Sequence, residues 1–75
     1  MTDMKTNTKS FSNDVYPLSV IEDAIKKYTN IAEINVATVA DENICTFTEK
    51  EIPIQLVISE FGNYLIEILN NHGIL

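Results

Sequence analysis

The strongest constraint on this chain is the run from Pro53 to Gly73, in which Ile54, Val57, Ile58, Phe61, Leu65, Ile68 and Leu69 recur at the spacing of one helical face. Such a stripe predicts a long amphipathic helix that must bury one side against another element. Pro53 suits its first turn, where the missing N–H would have had no partner. Gly73 can take the left-handed conformation that closes a helix, and Ile74 can fold back onto the last turn. Gly62 interrupts the run at a cost of about 1 kcal/mol relative to alanine, which implies close approach of a second element.

Upstream, Tyr16-Pro17-Leu18-Ser19 leads into a shorter helix over about Leu18 to Tyr28. Ser19 and Glu22 have the spacing of a capping box. Leu18, Ile21, Ala24, Ile25 and Tyr28 share a face, with acids early and lysines late, as the helix dipole favours. Ile31 to Ala40 alternates: Ile34, Val36, Thr38 and Ala40 lie on one side, and Glu33, Asn35, Ala37 and Val39 on the other. A turn at Asp41-Glu42-Asn43 and a strand at Ile44 to Thr48, with Cys45 and Phe47 facing one way, complete a hairpin. Phe11 and Val15 suggest a weak strand over Ser10–Tyr16.

The order is therefore β-α-β-β-α. We expect an α+β, two-layer sandwich: a small antiparallel-type sheet with two helices on one face. Its topology corresponds to a split β-α-β, ferredoxin-like half lacking the last strand, with a sheet edge left unpaired. Residues 1–9, polar and without a large side chain to bury beyond the methionines, read as a flexible tail, and residues 10–75 as a single small domain.

Charge narrows the function. The chain has 75 residues, 11 acidic and five basic, all five lysine, for a formal net charge of −6. Nucleic acid and anionic membrane are disfavoured as partners, because phosphate binding draws on clustered cations and the guanidinium fork. A lone cysteine excludes an internal disulfide and, with no secretion signal or membrane span in the sequence, points to the cytoplasm. Cys45 reads as a small apolar core residue and His72 as a helix-end residue favoured by the dipole. We expect no catalytic, cofactor-binding or metal-binding set, and no cofactor. The acids Asp41, Glu42, Glu49 and Glu51 read as solvated loops, with a docking patch for a basic surface as the alternative.

Val15-Tyr16-Pro17-Leu18, the helix carrying Ile21, Ala24 and Tyr28, the hairpin, and Glu60-Phe61-Gly62-Asn63-Tyr64-Leu65 together resemble the small HxsD-type proteins of His-Xaa-Ser peptide-modification systems. The likeness spans about residues 15–71 and departs from the family where a late helical arginine is replaced by Asn70-Asn71. It implies a noncatalytic accessory protein that binds a radical S-adenosylmethionine enzyme, its precursor peptide, or both, during ribosomal peptide maturation. Tyr16, Phe61, Asn63, Tyr64 and Leu65 are the interaction residues expected on this basis. The alternative is a self-associating structural or antitoxin-like inhibitory module, a homodimer built on the long helix.

Overall fold

A computed structural model of the chain describes residues 5–71. Strand β1 (Thr6–Ser12), helix α1 (Leu18–Tyr28), strands β2 (Ala32–Val39) and β3 (Glu42–Glu49) and helix α2 (Ile54–Asn71) follow in that order. Both helices lie on one face of a three-stranded sheet of order β1-β3-β2, with β3 antiparallel to each neighbour. β1 and β2 are therefore parallel and separated by one strand, which is the split β-α-β expected from the element order.

Alternation decides which residues face the helices. Phe11 of β1, Ala32 and Ile34 of β2, and Asn43, Cys45 and Phe47 of β3 point inward and are buried. The reverse face carries Thr6 opposite Thr48 and Thr8 opposite Thr46, with no helix laid over it among the described residues. From α2, Ile54, Val57, Phe61, Leu65, Ile68 and Leu69 are buried, and Ile58 packs at the margin. The Phe61 ring meets Phe47 at 5.1 Å, Phe11 at 6.0 Å and Tyr28 at 6.1 Å, so it joins β3, β1 and α1 at one point.

Several local expectations are corrected. β1 begins at Thr6, inside the segment assigned to the tail, and ends at Ser12, so Val15 lies in the following turn and is exposed. Backbone pairing with β3 orders Thr6–Lys9 without burying any of their side chains, which is why apolar patterning missed them. Ser19 caps nothing: α1 starts one residue earlier, and the Pro17 carbonyl accepts the first helical bonds from the Val20 and Ile21 N–H groups. The late lysines, Lys26 and Lys27, sit in the last turn as expected, but the first turn holds no acid. The hairpin turns at Ala40-Asp41, with Ala40 at φ 56°, while Glu42 and Asn43 belong to β3. His72, Gly73 and Ile74, with the closing motif read from them, lie outside the described residues.

Among the described residues, Asn43 is the buried polar residue of the core. Its Oδ1 accepts from the Thr38 hydroxyl at 2.8 Å, and its Nδ2 donates to Asn13 Oδ1 at 3.0 Å and to the Tyr16 carbonyl at 2.8 Å. Three segments are thus tied to one side chain in a region where an unmet polar group would be costly. Asn43→Ala leaves the Thr38, Asn13 and Tyr16 partners unmatched and is expected to cost roughly 2–4 kcal/mol in urea unfolding.

Gly62 does not mark a close approach. A Cβ placed on it would meet nothing within 4 Å, although the residue lies inside α2. Its absence of a side chain only weakens the helix. Gly62→Ala is therefore expected to stabilise the fold by about 0.5–1 kcal/mol, read as a higher urea midpoint at unchanged slope.

Candidate binding edges and the residues around them

The residues expected to interact do not share a surface. Phe61 and Leu65 are 0% exposed and form the centre of the core. Tyr16 is half-buried against Phe11, at 5.4 Å between ring centroids. Tyr64 is half-buried against Tyr28 at 5.8 Å, with the Lys27 ammonium 5.4 Å from its ring centre. Asn63 alone of the five is exposed.

Acidic residues also have structural work. A Glu49 carboxylate oxygen accepts the Ile54 N–H at 2.9 Å, capping α2 from the end of β3. Glu42 accepts a 2.6 Å bond from the Ser10 hydroxyl across the β1–β3 pair. Asp41 and Glu51 are exposed, as expected of solvated loops. Among the described residues, no three His, Cys, Asp or Glu side chains are grouped as a metal site would require. No helix of the described residues is long and apolar enough to cross a membrane.

What the architecture does present is backbone. Among the described residues, β1 and β2 each pair on one side only. The Glu49 N–H donates to the Lys5 carbonyl and the Asn13 N–H to the Asp41 carbonyl, which fixes the phase of the ladder. Odd-numbered residues of β1 bond to β3, and Thr6, Thr8, Ser10 and Ser12 direct their peptide groups outward. In β2 the tight turn pairs Val39 with Glu42, so Ala32, Ile34, Val36 and Thr38 are the outward-directed set.

The two edges differ. On β1 the Thr8 N–H is taken by the Asn7 side chain at 2.9 Å, and the Ser12 carbonyl is taken by the N–H groups of Val15 and Tyr16. Lys9 lies on the helix-facing side of the same strand. Self-satisfied peptide groups and an inward-directed charge are the means by which an edge avoids pairing. On β2 the edge adjoins an open groove of about 490 Å³ between the strand and α1, lined by Glu22, Ile25, Lys26, Ile34, Asn35 and Val36.

Cys45 is buried in the middle of the sheet, and burial pushes its thiol up to about 11. Tyr28 is also raised, first by burial and then by electrostatic repulsion from Glu60, Tyr64 and Glu67 against its ionised form. Neither group is poised for chemistry near neutrality. The unfolded thiol ionises near its ordinary 9.0, so between there and about 11 the unfolded chain holds fewer protons than the folded one. Stability contributed by the protonated thiol is complete below pH 9.0 and is lost as pH rises through about 11. Urea midpoints should fall over that window, with a shallower fall in Cys45→Ala, and a thiol reagent near pH 8 should label the protein only as fast as it opens.

No family model, no curated protein and no solved structure matches this chain.

Proposed function

We propose that this protein is a noncatalytic binding subunit that docks a modifying enzyme, its peptide substrate, or both, and that the enzyme belongs to the radical S-adenosylmethionine class acting on ribosomally made peptides in the cytoplasm. The observation that carries the binding role is the β2 edge: a row of outward-directed peptide groups beside an open groove. Edge strands of this kind recognise extended polypeptide through main-chain hydrogen bonds. The ionisable side chains support the same reading, since Cys45 is withdrawn into the core and Glu49 is engaged at a helix end. The enzyme class rests on the resemblance of residues 15–71 to HxsD-type proteins.

A self-associating, inhibitory module is the second reading, favoured by one feature. Leu56 and Ile66 are 52% and 44% exposed on the outer side of α2, where Ser59 and Asn63 complete a helical face that a second copy could cover. Light scattering after size exclusion separates the two. The protein alone is expected to run as a monomer and, mixed with a radical S-adenosylmethionine enzyme encoded in its neighbourhood, to enter a stoichiometric complex. A persistent dimer without a mass shift would favour the self-associating structural or inhibitory module instead.

A further inference from the structure

We infer that the groove between β2 and α1 is a strand-addition site for an extended, basic and apolar segment of a partner polypeptide, which would become the fourth strand of the sheet. This rests on the binding role proposed above and names its surface and ligand chemistry.

The backbone comes first. An added strand bonds to the outward peptide groups of Ile34 and Val36. Residues opposite a hydrogen-bonded position share its side of the sheet, so ligand residues opposite Ile34 and Val36 project on the helix side, into the groove beneath Ile25. The groove is open, as a through-running strand requires, and its volume accommodates two side chains.

Charge then selects the occupant. α1 runs back toward the start of β2, which sets Lys26 toward the Ile34 end and Glu22 toward the Val36 end. An apolar side chain fits opposite Ile34, between Ile25 and the sheet. A lysine or arginine opposite Val36 can lay its stem along the apolar wall and bring its charge to Glu22. Glu33, exposed on the same strand, and the net charge of −6 add attraction for a basic segment. A second copy would bring another −6 to the same edge. The opposite edge is a poorer receptor, because Asn7 and Lys9 already guard it.

The test is a titration of the full isotope-labelled chain with two acetylated ten-residue peptides of the repeat valine-threonine-X-threonine, which sets valine and X alternately on one face of a strand, X being lysine in the valine–lysine peptide and glutamate in its counterpart. The valine–lysine peptide is expected to shift the amides of Ile34 and Val36 saturably, leaving those of Thr8 and Ser10 in place, and to bind about tenfold more tightly than its glutamate counterpart. Glu22→Lys, an exposed change with no packing role, should remove most of that preference. Val36→Pro deletes one outward N–H without touching the β3 ladder and should abolish binding of both peptides. Shifts confined to β1, equal binding of the two peptides, or a doubled mass when the β2 amides move on concentration alone would each overturn the inference. If Val36→Pro perturbs the fold, the Glu22→Lys result decides. An enzyme complex that forms unchanged with Val36→Pro and Glu22→Lys would remove the groove but leave the binding-subunit role. Peptide binding without any enzyme complex would do the reverse.

Discussion

The fold depends on the ring of Phe61. It is the point at which β1, β3 and α1 come into contact with α2, through Phe11, Phe47 and Tyr28. A small domain has few places where four elements can meet, and the apolar area available to offset chain entropy is limited. An aromatic centre suits that limit, because one rigid ring covers several neighbours at little rotamer cost. Truncation there would uncouple the helix layer from the sheet, rather than trim a surface.

A second constraint complements it at the hairpin end of the sheet, where Asn43 stands opposite Phe11. Asn43 lies where the β2–β3 hairpin, the turn after β1 and the entry to α1 converge, and it holds Thr38, Asn13 and Tyr16 together. Apolar packing around Phe61 is tolerant of small shifts, whereas three directed hydrogen bonds are not. The aromatic centre thus supplies cohesion, and the amide fixes how far β1 slides along β3. The division explains how a strand with a single buried side chain, Phe11, keeps one register.

These roles were unequally legible in the sequence. The α2 stripe, the α1 face and the β2–β3 alternation follow from periodicity, because each of those elements buries a repeating set of side chains. The expected interaction residues show the limit of the same signal: a helical stripe announces burial without saying whether core or partner does the burying, and Phe61 and Leu65 belong to the core. β1 left almost no trace, since Thr6–Lys9 are held by backbone pairing alone. Asn43 read as a turn residue for the ordinary reason that asparagine is common in turns, and only its distant partners reveal it as core. Ser19 and Glu22 had the spacing of a cap, but Pro17 had already begun the helix. The groove could not be read at all, being made where two elements separated in sequence leave a gap.

The sheet order also carries a consequence in time. β2 and β3 are joined by a two-residue turn and both helices are local structures, so each of these can form early. β1 must instead find β3 across the whole of α1 and β2, with Thr6 pairing to Thr48. Closing so long a loop is slow, and nothing in the strand's own side chains apart from Phe11 draws it in. Until it arrives, the central strand is itself an edge, with Asn43 and Cys45 facing an unfilled side. By that ordering the last step of folding replaces the open side of β3 with the guarded, low-apolarity edge of β1, and leaves β2 as the edge that can still accept a strand.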